Sequence, residues 1–396
     1  MLKLIEIFIY QCAFFPYIKF FNIGVAGNLQ PYSFLITCLF ILIYYKKFKL
    51  DISSRILLIT SYVAISIFSI DLLINYNSNI QMSAIMDAIQ SLYFYISGFI
   101  YFFAFKNLLR MKGLKKKYVK IIFFIWSGVA VLQLLIDKTL FTGWINKLII
   151  SSDRGVVSLS SEPSFFARML ILFAIIFYIE GEYKLFFIAI FENIFFARSL
   201  LGTFYLLISI SFLLGEGKKK LKYVMIAIGI GIVLYPFMMQ YENIRAVYLL
   251  KEVLNNPIQV FENRNSINFR LANVYYALVG FKILPNGFFS WESYFLERLS
   301  SSAVFLQPLP HESLMIKGML PKIVYEIGIF SVLILYALKK MFKKKNYFIM
   351  ICFFTIMTFG FTHPTYMFVL AYLSNIRCER SQMIVTQEVN LEHTGG

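Results

Sequence analysis

Residues 46–75, KKFKLDISSRILLITSYVAISIFSIDLLIN, decide the fold. Lys46, Lys47, Lys49 and Arg55 sit together, and from Ile56 to Asn75 the sole charge is Asp71. A run close to the ~20 apolar residues that a helix needs to cross a bilayer reads as a membrane span. The run is continuous rather than alternating, which excludes a strand of a spanning barrel. A basic cluster at its start is what the positive-inside rule places in the cytoplasm.

The same unit recurs along the chain. Apolar runs bounded by charged or turn residues predict about twelve spans, near 4–20, 31–45, 55–75, 84–105, 118–137, 163–180, 184–198, 200–215, 221–239, 319–338, 346–362 and 364–377. The first reads as a retained span, since it lacks a small-residue cleavage site. The fold class expected is an all-α polytopic membrane protein. Four basic clusters separate the runs: Lys46–Arg55, Lys106–Lys120, Lys218–Lys222 and Lys339–Lys345. Counting spans puts every cluster on one side, with both termini there, and puts 138–162, Arg198 and a long stretch from Gln240 to Lys317 on the other. The domains expected are an N-terminal bundle (1–239), an external loop (240–318), C-terminal spans (319–377) and a cytoplasmic tail (378–396).

Composition agrees. Of 396 residues 59% are hydrophobic and 15% charged, against ~45–50% and ~25% in soluble domains. The formal charge of +17 is accounted for by the cytoplasmic clusters, so nucleic acid is not an expected partner. The long loop is nearly balanced, with Arg245, Lys251, Arg264, Arg270, Lys282, Arg298 and Lys317 against Glu242, Glu252, Glu262, Glu292, Glu297 and Glu312. Cys12, Cys38, Cys352 and Cys378 have neither metal-ligand spacing nor an external partner, so neither a disulfide framework nor a zinc site is indicated. No nucleotide-binding loop or nucleophile elbow is present. Neither cofactor nor metal is expected.

Four clusters can carry chemistry on the external side. Arg154-Gly155 leads to Ser161-Glu162-Pro163-Ser164-Phe165-Phe166-Ala167-Arg168. Pro163 suits the first turn of a helix; Glu162 with Arg168 reads as a capped helix start with an interfacial ion pair, or Arg154 or Glu162 belongs to a substrate site. Arg198 ends a short span; it either snorkels to the interface or meets an anion, for which the planar guanidinium is well shaped. Arg264 and Arg270 lie in the long loop, where helical spacing over 270–281 places Arg270 at the start of a short helix. His311-Glu312 closes the loop, and Tyr325-Glu326-Ile327-Gly328 follows in the next span. A neutral histidine is the usual base near neutral pH. His363, beside Pro364, competes with His311, which is favoured because it shares the loop with Arg270. A charge at membrane depth such as Glu326 is a functional candidate or a partner for an arginine.

Taken in order, these residues resemble the O-antigen polymerase (Wzy) family, within the Wzy/WaaL group of polymerases and ligases. Arg154-Gly155 with Glu162-Pro163-Ser164-Phe165 resembles its external segment, and Arg198-Ser199 its Ser/Arg turn. The series Arg270, Pro285-Asn286-Gly287, His311 and Glu326-Ile327-Gly328 is similar to its loop pattern, although Asn286-Gly287-Phe288 departs from the usual Gly-x-Gly. The resemblance covers about 150 to 335. It implies a GT-C-like glycosyltransferase in the bacterial inner membrane, with its active site facing the periplasm. The donor would be an undecaprenyl-pyrophosphate-linked oligosaccharide, and a chain-length regulator is a further possible partner. By this resemblance Arg198 and Arg270 would bind the pyrophosphate and His311 would handle the acceptor hydroxyl. Arg154, Glu162 and Glu326 would support them, with Arg264 from the same loop. Two alternatives stand beside it: an O-antigen ligase with lipid A-core as acceptor, and a lipid-linked oligosaccharide flippase. The flippase should have two similar halves and short external loops, which this chain lacks.

Overall fold

The structure, a computed structural model, describes residues 2–19, 29–75, 82–145, 148, 155–214, 266–302, 305, 314–316, 318–342, 344–357 and 359–376. Apart from one isolated bridge between Ile18 and Ile145, the regular structure of these residues is helical. The helices are α1 (Leu2–Phe14), α2 (Tyr32–Tyr44), α3 (Ile52–Asn75), α4 (Met82–Lys112), α5 (Lys116–Leu135), α6 (Pro163–Ile179), α7 (Tyr183–Glu192), α8 (Leu200–Leu214), α9 (Ser266–Val279), α10 (Trp291–Ser300), α11 (Met319–Ile327), α12 (Ser331–Met341), α13 (Lys345–Met357) and α14 (364–376). The expected span 221–239 and the tail 378–396 lie outside the described residues.

Among the described residues, four helical stretches are long and apolar enough to cross a membrane: Ile52–Asn75, Ala84–Lys112, Lys116–Leu135 and Met319–Met341. At ~1.5 Å per residue, each reaches about the ~30 Å of a hydrocarbon core. These four point to a membrane protein. The fourth is not one continuous helix, because α11 and α12 are joined through a 3-10 turn at Gly328–Phe330. Other apolar helices, including Pro163–Ile179 and Lys345–Ile356, are shorter, at 10–17 residues.

A helix that is apolar all round belongs in the centre of a bundle. Two are: α6 and α14, buried along nearly their whole lengths from Phe166 to Phe177 and from Tyr366 to Leu373. Aromatic rings tie neighbours to them. Phe14 of α1 stacks on Phe173 at 5.3 Å, Phe123 of α5 meets Phe173 at 5.5 Å, and Phe105 of α4 meets Phe368 at 5.4 Å. Exposed apolar residues such as Leu42, Leu73, Phe124 and Leu135 lie on the outer helices, as lipid-facing residues would.

One end of the bundle is basic and cross-linked. Lys106 pairs with Asp51 at 2.7 Å, Lys116 with Glu180 at 2.6 Å and Lys120 with Glu182 at 2.7 Å. Tyr372 also bonds Glu180, and Asn375 Nδ2 donates to Lys106 O at 2.9 Å. Burial alone would raise the Asp51 carboxyl, but Lys106 and Ser54 outweigh it and hold it below its ordinary value. The opposite end gathers Tyr17, Asp71, Glu162, Arg198 and His363.

Candidate functional site

The segment 155–162 is shaped by its backbone. Val156 N donates to Phe196 O at 2.9 Å, and Gly155 lies so close to the Phe196 and Ala197 carbonyl oxygens that a Cβ would collide with them. Gly155 is therefore a close-approach glycine. Ser158, at φ 51°, is held by Gln133 of α5 through a 2.7 Å bond to its N–H and by its own hydroxyl on Trp126 O, also 2.7 Å. Glu162 then precedes Pro163 at the first turn of α6, and Ser164 Oγ donates to Glu162 Oε1 at 2.6 Å.

Six residues into the apolar α6 sits Arg168, half-buried, its guanidinium 4.4 Å from the Phe165 ring centre. Its electrostatic neighbours are Arg270, Tyr17, Glu162 and Tyr205. Arg270 comes from the long loop, one turn inside α9, which starts at Ser266 rather than at Arg270 as the spacing predicts. Tyr17, beyond the end of α1, stacks on Phe165 at 5.5 Å and shares a 2.8 Å hydrogen bond with His363. Residues from α1's end, α6, α8, α9 and the turn before α14 thus converge.

His363 lies in the turn 359–363, outside both α13 and α14. Its Nδ1 accepts from Tyr366 N–H at 3.4 Å, so the ring proton belongs on Nε2 and is donated to the Tyr17 oxygen. Burial pushes the imidazole down to about 3, and Arg168 beside it adds to the shift. His363 is a neutral residue with both ring nitrogens engaged.

Arg198 takes the left-handed conformation, φ 45°, where α7 ends in a π-helical turn, Asn193–Ala197. Its side chain is exposed, and Nε donates to Phe195 O at 3.0 Å. Ser199 Oγ accepts from Gly202 N–H at 3.2 Å and so caps α8. A π-turn inside an apolar helix frequently marks a functional position.

Glu326 lies in a separate group. It pairs with Lys322 at 2.9 Å and accepts from Tyr95 OH at 2.9 Å; Lys322 also donates to Ser91 at 2.7 Å. The two short motifs of the resemblance meet here. Gly287 N donates to Glu326 O at 3.2 Å, and Asn286 Nδ2 donates to Tyr325 O at 3.0 Å. A Cβ on Gly328, φ 56°, would run into the carbonyls of Lys282 and Ile283. Asn286-Gly287 therefore forms the turn despite its departure from Gly-x-Gly.

Arg154, Arg264 and His311 lie outside the described residues. Arg168, Tyr17, Lys322 and Asp71 were not singled out as site residues in the sequence. The signal for the two cations was a charge inside an apolar run. Among the described residues no group of three or more His, Cys, Asp or Glu side chains is placed to hold a metal ion. The sequence matches no family model and no curated protein.

Proposed function

We propose that this protein is a membrane glycosyltransferase of the O-antigen polymerase type. It would have about twelve spans, lie in the bacterial inner membrane with both termini cytoplasmic, and act on its periplasmic face. The observation that carries the reading is the neighbouring pair Arg168 and Arg270 at the end of the bundle opposite the basic clusters. Arg168 and Arg270 carry like charge and Glu162 beside them supplies one negative charge, so the group keeps a net positive charge that suits an anionic headgroup, and a lipid diphosphate is one.

In the proposed reaction a sugar hydroxyl of one lipid-linked repeat attacks the anomeric carbon of the growing chain. The bond from that carbon to the diphosphate oxygen breaks, and the lipid diphosphate leaves with the electron pair. Arg168 and Arg270 take up the charge that develops on it, an electrostatic role that needs neither a metal nor ATP. Arg198, exposed at the same end, is available to the same headgroup. His363 is committed to Tyr17 and Tyr366, so the proton of the attacking hydroxyl is assigned to the loop histidine, His311.

The test is the lipopolysaccharide gel profile of a deletion strain complemented with variants. Arg270→Ala and Arg168→Ala are each expected to cut elongation by about 10²–10³-fold, the usual cost of one preorganised charge-stabilising group, with protein still inserted. Lipid A-core bearing one repeat supports polymerase. Bare lipid A-core with accumulating lipid-linked polymer means ligase. An unchanged ladder in the deletion strain rejects both.

A further inference from the structure

The turn that follows α9 is built as an anion-binding nest, and its anion is a side chain of α3. Gly287 has φ 80°, and the next two N–H groups, those of Phe288 and Phe289, both donate to Asp71 Oδ2, at 2.6 and 3.2 Å. Consecutive N–H groups after a left-handed residue make a concave anion site. Only glycine fits at 287, because a Cβ there would overlap the Asp71 carboxylate. Asp71 Oδ1 is held in turn by Asn75 Nδ2 at 3.0 Å. Apolar contacts back the clasp: Phe68, one turn before Asp71, faces Phe288 at 6.1 Å and Phe289 at 6.3 Å. On its other side the turn is fastened to α11 through Asn286 and Gly287, and Asn286 Nδ2 also donates to Gly280 O at 2.9 Å, at the foot of α9.

We propose that Asp71 is a positioning residue for Arg270. It clasps the Gly287–Phe289 turn to the membrane bundle and so fixes the end of α9, the helix that carries Arg270 to Arg168. This rests on reading the two arginines as the donor-binding pair. Losing the clasp leaves α9 held by its packing on α10, α11 and α13 without the tie to α3, and Arg270 is less firmly placed.

Two readouts separate the clasp from the reaction. Spin labels at Leu135 on α5 and Leu278 on α9, both exposed, are placed in the full-length protein with its four native cysteines replaced. Pulsed dipolar spectroscopy is expected to give one narrow distance peak, which Asp71→Ala turns into a broad distribution. Asp71→Asn keeps one acceptor oxygen and the volume, so it is expected to give intermediate width and guards against loss of fold in the alanine variant. A peak that stays narrow in both variants overturns the clasp, whatever reaction the protein performs. With purified protein and a lipid-diphosphate-linked repeat, Asp71→Asn is expected to raise the donor KM about tenfold, in line with loss of one charge-assisted hydrogen bond, with kcat little changed. An unchanged KM alongside a broadened distance overturns the link to Arg270. Absence of elongation by the unmutated protein removes the polymerase reading and leaves the distance result to decide whether the clasp exists.

Discussion

At the scale of single residues, His363 shows how placement settles chemistry that residue type leaves open. In sequence it is a histidine beside a proline at a turn, a plausible base. In the fold it is buried, donates to Tyr17 and accepts from Tyr366 N–H. Its ordinary value of 6.5 falls to about 3, through burial first and Arg168 second. Between those values the unfolded chain binds a proton that the folded chain does not. Stability is therefore full above pH 6.5 and falls as pH drops below it. Over pH 6.5 to about pH 5 the melting temperature of the purified protein is expected to fall relative to that of His363→Gln, which removes the titration and keeps a donor for Tyr17. Equal slopes for the two proteins would mean that His363 is charged in the fold. Gly155 teaches the complementary lesson: an Arg-Gly pair in sequence becomes a close approach to the Phe196 carbonyl, a contact between distant segments that no local pattern encodes.

At the scale of elements, α4 and α11 carry a buried polar seam. Ser91 and Tyr95 of α4 stand one turn apart and meet Lys322 and Glu326 of α11, which are also one turn apart. Lys322 is 6% exposed and Glu326 3%, so each charge depends on the other for its solvation. Glu326→Ala is expected to strand Lys322 and cost about 3–5 kcal/mol, whereas Lys322→Met with Glu326→Leu should restore most of the loss, as buried pairs replaced by apolar residues commonly do. Thermal or denaturant unfolding of the two proteins in detergent checks this; similar losses in both would mean that the packing of the seam, not its charge, is what matters. Runs of apolar residues revealed the helices: Ile52–Asn75 and Pro163–Ile179 lie within a few residues of the runs at 55–75 and 163–180. Hydropathy did not reveal how the helices are broken. The break after Ile327 depends on Gly328 docking against the carbonyls of Lys282 and Ile283, and the π-turn at Asn193–Ala197 on its position beside Gly155. Asp71 was legible only as a charge near a helix end, because its partners are backbone N–H groups more than 200 residues away.

At the scale of the whole molecule, the charge pattern was the most legible feature, and in the fold it becomes an axis. Lys46, Lys47, Lys49, Arg110, Lys112, Lys115 and Lys117 are exposed at the end where Asp51, Glu180 and Glu182 are already paired. From Asp87 to Lys106 the α4 helix rises roughly 28 Å at 1.5 Å per residue, about the thickness of a hydrocarbon core. In the proposed topology the seven exposed cations sit on one side of a bilayer, and the Arg168–Arg270 pair, the clasp and α10 on the other. The positive-inside rule assigns the basic side to the cytoplasm. That orientation is testable without any assay of activity. In a cysteine-free chain, Cys placed at Glu297 on α10 should react with a membrane-impermeant maleimide in intact spheroplasts. Cys placed at Lys112 should react only after lysis. Both positions are exposed, so failure to react reports the membrane and not the fold. The opposite result would put the arginine pair in the cytoplasm. The substrate would then have to be assembled on that face, and a periplasmic polymerase would no longer fit this molecule, although the proposed role of the arginine pair would remain.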